Sequence, residues 1–160
     1  MRRVSRLCAL LTAMLLAGCG GGGGGDALSK QEYQDQLDTT RTELSASFEA
    51  LEAQLQDALR GSGSLEDAAS EMESIQEKLR AQADELESLT PPEDAAGAND
   101  ALASGMQELA DELDPFKSAL ESGDLGKVQA EANKIVTLPS GEKLQQAGND
   151  LEAAGYRFTG

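Results

Sequence analysis

The sequence of 160 residues contains no histidine and no tryptophan, and it has only two tyrosines, three phenylalanines and two cysteines. Without histidine, a Ser-His-Asp triad, a Cys-His pair and a histidine-ligated metal site are all impossible. The Glu-x-x-His motif of di-iron helical bundles is excluded for the same reason. Few aromatic residues leave little surface for stacking on sugars. The histidine-dependent enzyme classes are therefore excluded.

Phosphate-binding and calcium-binding motifs are also missing. No glycine-rich loop is followed by Lys-Ser or Lys-Thr, and the glycines at 20–25 follow no predicted strand. Acidic groups such as Glu108, Asp111 and Glu112 lack EF-hand spacing, so we interpret them as solvated helix faces. We therefore predict that the protein is not an enzyme and binds no metal. An enzyme that uses carboxylates alone is the least favoured alternative.

The N-terminus differs from the rest of the chain. Three arginines within the first six residues precede an apolar run at 7–17, too short to span a bilayer, which needs about 20 residues. This pattern is typical of a secretory signal peptide. Residues 16–19 read Leu-Ala-Gly-Cys and resemble the lipobox of bacterial lipoproteins. The resemblance implies cleavage before Cys19, a lipid on its sulfur and a location at the extracytoplasmic face of the cell membrane.

The resemblance divides the chain into three parts. These are a cleaved signal peptide at 1–18, the lipidated Cys19 with a glycine-rich tether at 19–27, and a helical domain at 28–160. The whole resembles small all-helical envelope lipoproteins of unknown function, which transfer no site residue beyond Cys19. We expect no cofactor apart from the covalent lipid. The alternative is that Cys19 is an ordinary thiol in a disordered leader, and Cys8 would leave with the signal peptide.

The chain that begins at Cys19 is strongly acidic. It holds 10 basic and 29 acidic residues, a formal charge of −19. Such a surface repels nucleic acid and anionic lipid headgroups, so we expect no nucleic-acid partner and expect the lipid to hold the protein at the membrane. We predict a non-enzymatic interaction or scaffold module of the cell envelope, with an unidentified envelope protein as its partner. The alternative is a lipoprotein that binds a small ligand.

Beyond Leu28 the sequence indicates amphipathic helices. Apolar residues recur at spacings of three and four, and Ser29, Ser64 and Thr90 are placed as helix N-caps. The pattern predicts an all-α, up-and-down four-helix bundle, with the third helix kinked near Pro115 and the fourth arm broken near Pro139. A flat array of helical hairpins that needs a partner is the alternative.

Three polar residues interrupt the apolar stripes: Thr40, Gln82 and Asn99. Counting from the turns, with the third helix starting at Pro91, puts them at one height. The small residues Ala147 and Gly148 of the last arm reach the same height and would leave room. One interpretation is a buried polar layer that fixes helix register. The other is a polar pocket for a ligand.

The same counting orients the domain. Tyr33, the Pro91–Pro92 pair and Tyr156 are predicted at the end that bears the tether, called the near end below. Residues 61–64 and 122–124 are predicted at the opposite, distal tip. The distal tip is the more accessible place for a partner.

Overall fold

The computed structural model describes residues 27–157. The predicted signal peptide, the predicted lipidation site at Cys19 and the tether up to residue 26 lie outside this range. Within residues 27–157, no helix has both the length and the apolar character needed to cross a bilayer.

The described chain is all-helical, which confirms the predicted fold class. Helices cover 81% of it, and no strand occurs between residues 27 and 157. Six helical segments make four arms, two of which are bent. The segments are α1 (Lys30–Arg60), α2 (Leu65–Ser88), α3 (Ala96–Glu112), α4 (Asp114–Glu121), α5 (Leu125–Ile135) and α6 (Pro139–Ala153).

The first two helices begin at side-chain caps, as predicted. The Ser29 hydroxyl accepts a hydrogen bond from the Glu32 backbone N–H, and the Glu32 carboxylate accepts one from the Ser29 N–H. Ser64 caps α2 by accepting from the Asp67 N–H over 3.0 Å. These bonds satisfy N–H groups that have no partner inside the helix.

The third helix begins later than predicted. It starts at Ala96 and has no side-chain cap, so the predicted cap at Thr90 is wrong. The reason is the second proline, because Pro92 disfavours helical backbone at the preceding Pro91. Residues 91–95 therefore form a turn outside the helix. The Thr90 carbonyl instead accepts a 2.8 Å hydrogen bond from the Leu28 N–H, which ties the start of α1 to the end of α2.

Both bends fall at prolines, which confirms the predicted kink and break. In the third arm Pro115 lies in the first turn of α4, where a missing N–H leaves no helical carbonyl unpaired. In the fourth arm α6 begins with Pro139, after a short connection from α5. The third and fourth arms are thus each made of two helices.

Two pairs of helices, α1 with α2 and α3 with α6, pack antiparallel. The paired residues run in opposite order along α1 and α2, from Gln36–Glu85 through Thr40–Gln82 to Ser47–Lys78. The same holds for α3 and α6, where Glu108 meets Lys143 and Glu112 meets Ser140. By contrast, helices α1 and α6 do not pack against each other anywhere in the described chain. Residues just after α6 contact the start of α1.

The apolar core is centred on α2 and α3. Met72, Ile75, Leu79 and Leu86 of α2 are all at most 1% exposed. The buried large apolar side chains of α1 are Tyr33, Leu37 and Leu51. The remaining stripe of α1 is half-buried or exposed, with Phe48 at 37% and Leu59 at 68%. The first arm therefore buries only part of its predicted apolar stripe.

Candidate functional site

Two of the three predicted polar residues meet between α1 and α2. The buried Thr40 hydroxyl donates to Gln82 Oε1 over 2.7 Å. Gln82 is half-buried, and its Nε2 donates to Glu43 Oε2 over 3.0 Å. Both polar ends of the Gln82 amide are thus paired within the protein, and the contact holds α1 at a fixed height against α2.

The third predicted residue, Asn99, lies in a separate network at the near end. Its Oδ1 accepts from the Tyr33 hydroxyl over 3.0 Å, and its Nδ2 donates to the Leu86 carbonyl over 2.9 Å. Asn99 is 2% exposed and Tyr33 is fully buried. One amide therefore links α1, α2 and α3.

The structure thus divides the predicted layer into two networks. Counting from Pro91 assumes helical rise over residues 91–95, but these residues form a turn, so Asn99 is the fourth residue of α3. It reaches Leu86, which follows Gln82 by one turn of α2. Because the amides of Asn99 and Gln82 are paired internally, both networks are suited to fixing helix register.

An apolar groove opens between α1 and α6, with α3 as its floor. Its volume is about 380 Å³, within the range of about 300–1,000 Å³ typical of small-molecule sites. Its apolar lining comprises Leu37, Leu44, Leu102, Met106, Leu144 and Leu151. Gly148 forms part of the α6 wall, and Thr40 and the exposed residues Arg41 and Ser45 contribute to the α1 wall. The Thr40 hydroxyl is already bonded to Gln82 on α2.

Two local features shape this groove. A Cβ atom added to Gly105 of α3 would lie 2.9 Å from Leu144 Cδ2, so the missing side chain allows α6 to pack closely on α3. At the near end, Gln34 of α1 pairs twice with Arg157: Gln34 Nε2 donates to the Arg157 carbonyl over 2.7 Å, and the Arg157 N–H donates to Gln34 Oε1 over 2.9 Å. This pair joins the start of α1 to the segment that follows α6.

Sequence periodicity misses the groove. It assigns Leu102 and Leu144 to the core because a side chain that faces a groove repeats with the same period as one that faces a neighbouring helix. The one feature of the sequence that indicates the groove is Gly148, a small residue on the inner face of the last arm. A Cβ atom there would meet nothing within 4 Å.

The distal tip carries a different, polar cleft. It is lined by the end of α1 and the start of α2, with Asp57, Asp67 and Glu71 among its walls. The Oε1 atom of Gln54 is buried there without a hydrogen-bond partner among the described residues. No group of three or more acidic or cysteine side chains within residues 27–157 is placed to hold a metal ion.

The acidic residues Glu108, Asp111 and Glu112 do not converge on one point. Glu108 pairs with Lys143 at 2.7 Å, and Asp111 pairs with Arg80 at 2.9 Å. Glu112 accepts hydrogen bonds from the hydroxyl and N–H of Ser140. These carboxylates join helices to one another.

No protein-family model, no curated protein and no solved structure matches the chain.

The near end contains the two tyrosines, whose ring centroids lie 5.6 Å apart at 84°. Burial raises the pKa of Tyr33, with smaller contributions from Tyr156 and Asp100. Burial, together with a hydrogen bond to Asp94, raises the pKa of Tyr156 to about 12. An unfolded tyrosine titrates near pH 10. Each folded phenol therefore retains its proton at a pH where the unfolded chain loses it.

This difference predicts a loss of stability at alkaline pH. Between about pH 10 and 12 the unfolded state binds fewer protons than the folded state, so the free energy of unfolding falls as pH rises. The Tyr156→Phe variant lacks one of the two phenols and should show a shallower fall, measured by urea unfolding at several pH values. Lys30, whose Nζ lies 4.4 Å from the Tyr156 ring centroid, is the control position. A Lys30→Met variant retains both phenols, so its free energy of unfolding should fall with pH as steeply as that of the parent chain. A Tyr156→Phe variant whose free energy of unfolding falls as steeply as that of the parent chain would contradict the assignment.

Proposed function

We propose that this chain is a bacterial lipoprotein, anchored at the extracytoplasmic face of the membrane through a lipid on Cys19, and that its helical domain is a non-enzymatic binding module. The observation that carries the binding role is the apolar groove between α1 and α6. An exposed apolar depression is a common mark of a binding surface. The anchor rests on the basic start, the short apolar run and Leu-Ala-Gly-Cys at 16–19.

The proposed architecture is an up-and-down four-helix bundle whose first and last arms stand apart. Antiparallel packing of α1 on α2, α2 on α3 and α3 on α6 supports this arrangement. The groove occupies the place where the first and last arms of a closed bundle would meet. A bound apolar group would cover the side chains that a fully closed bundle buries between those arms.

The groove also changes where a ligand is expected to bind. A polar ligand needs hydrogen-bonding groups, but the amides of Gln82 and Asn99 are bonded to protein atoms. Displacing those bonds to admit a ligand would cost about 1–3 kcal/mol for each buried group left unpaired. The groove needs no such displacement. Ligand binding is therefore proposed for the groove in preference to the polar residues.

The anchor predicts a change of cell fraction when Cys19 is replaced. A Cys19→Ser chain has no thiol to acylate, so it should move from the membrane fraction to the aqueous extracytoplasmic fraction. The matched control is Cys8→Ser, which lies in the predicted signal peptide and should leave the protein with the membrane. Cell fractionation with mass measurement of the N-terminal peptide checks both. A Cys19→Ser chain that stays with the membrane would rule out the lipid anchor.

Groove binding is testable with a neutral hydrocarbon probe, the fluorescent methyl ester of cis-parinaric acid. The unlipidated Cys19→Ser chain should raise the probe's fluorescence as the probe leaves water. A Gly148→Leu substitution places a side chain in open groove space and should weaken binding about tenfold, as expected when about two methylene groups lose their burial.

The control for this experiment is Gly97→Leu. Gly97 is also a helical glycine with nothing within 4 Å of an added Cβ, but it is exposed on α3 and does not line the groove. The Gly97→Leu variant should bind the probe with the same affinity as the parent chain. Equal weakening by both substitutions, or binding that neither affects, would place the probe elsewhere and remove the groove as the binding surface.

A scaffold role is the second candidate, and the exposed stripe of α1 favours it. Phe48 and Leu59 are exposed, and the carboxylates of Glu49 and Glu52 lie exposed beside Phe48. An amphipathic helix of an envelope protein would complement this stripe. Its apolar face would cover the exposed apolar side chains, and flanking lysine or arginine residues would pair with the carboxylates. The occupant proposed for this stripe is therefore a basic amphipathic helix.

In-cell cross-linking with mass spectrometry tests the scaffold role. The intact protein should yield one recurrent envelope protein, cross-linked through a basic helix, and Phe48→Glu should abolish that product. The control is Ala46→Glu, which adds the same charge at an exposed position on the other side of α1. Equal recovery from both variants would contradict docking on the α1 stripe.

A further inference from the structure

The groove has the chemistry of a site for hydrocarbon. Its apolar lining consists of leucine and methionine side chains, and the Thr40 hydroxyl is already bonded to Gln82. An extended peptide would bury backbone N–H and carbonyl groups there without partners, which is unfavourable. A carbohydrate has the same difficulty with its hydroxyls. An unbranched alkyl chain has no polar group to satisfy.

The size of the groove suits a small occupant. It offers about 380 Å³, near the lower end of the range of about 300–1,000 Å³ typical of small-molecule sites. A single slender chain is an occupant of that size.

The described chain starts close to this site. Cys19 lies eight residues before Ala27, where the described structure starts. A glycine-rich chain of eight residues has an r.m.s. span of about 15 Å. Leu37, the first groove residue of α1, lies seven residues along the helix from Lys30, an axial distance of about 10 Å. The three residues from Ala27 to Lys30 add at most about 10 Å, so Leu37 lies within about 20 Å of Ala27. Eight residues extend to about 28 Å, so a group on Cys19 reaches the groove without a fully extended tether.

We propose that the groove holds one acyl chain of the lipid carried on Cys19. This inference rests on the lipid anchor of the proposed function. Attachment through a short tether gives the chain an effective concentration in the millimolar range at the groove, which favours it over free lipid. The remaining acyl chains stay in the membrane. With one chain in the groove, the near end lies against the bilayer and the domain no longer reorients freely on its tether.

Site-specific photo-cross-linking in the full lipidated protein tests this occupancy. The photoreactive residue p-benzoylphenylalanine replaces Ser45, an exposed groove residue of α1. Irradiation in native membranes should join the peptide that contains position 45 to the acylated N-terminal peptide of the same molecule. The control places the probe at Ala46, which is exposed at the same height but on the other side of α1. That control should give no such product.

Two substitutions sharpen the result. Gly148→Leu should lower the equilibrium constant for groove occupancy about tenfold, the loss expected when about two methylene groups are no longer buried, and the yield of the cross-link should fall by up to that factor. Gly97→Leu should leave the yield unchanged. A cross-link from position 45 to a membrane phospholipid, to a second copy of the chain or to another protein would overturn the proposal. Absence of any product from position 45 would overturn it as well.

The experiment separates this inference from the anchor itself. Mass measurement of the N-terminal peptide reports directly whether Cys19 is acylated. An acylated peptide that never joins position 45 refutes groove occupancy and leaves the anchor intact. An N-terminal peptide without lipid refutes the anchor and the groove occupancy together.

Discussion

The buried amide of Asn99 is the contact on which the arrangement of the arms depends. It accepts from Tyr33 of α1 and donates to the Leu86 carbonyl of α2, while belonging to α3. The Tyr156 ring packs edge-on against Tyr33 and adds the segment that follows α6. A displaced arm would leave a polar group unpaired in a low-dielectric interior. The contacts at the near end therefore fix the register of α1, α2 and α3 and determine which side of each helix faces its neighbours.

Beyond that end, α2 and α3 remain packed together, and each outer arm packs on a different one of them. α1 follows α2, because Thr40 bonds Gln82 and Lys78 donates to Ser47 further along. α6 follows α3, because Gly105 lets the Leu144 side chain approach the helix backbone. Each attraction draws an outer arm toward its inner neighbour and away from the other outer arm. The groove is the consequence, and its lining combines the half-buried Leu44, Leu102 and Leu144 with the buried core residues Leu37 and Leu151.

The sequence predicts the local features better than the relative positions of the arms. The caps at Ser29 and Ser64 and the bends at Pro115 and Pro139 follow from backbone geometry, which a few neighbouring residues determine. The height of Asn99 depends on how many residues of the preceding connection are helical, so an error at Thr90 moves it out of the predicted layer. The groove depends on the separation of α1 and α6, residues far apart in sequence, and periodicity carries no information about that separation.

The acidity of the chain bears on what the groove can hold. A formal charge of −19 from Cys19 onward disfavours the approach of fatty-acid carboxylates and anionic headgroups to the domain as a whole, although the basic residue Arg41 lines the groove. An acyl chain attached to Cys19 avoids this repulsion, because its linkage to the protein carries no phosphate. The tether also replaces a bimolecular encounter by an intramolecular one. The apolar groove and the strongly acidic surface are thus both compatible with one occupant, a hydrocarbon chain that the protein carries itself.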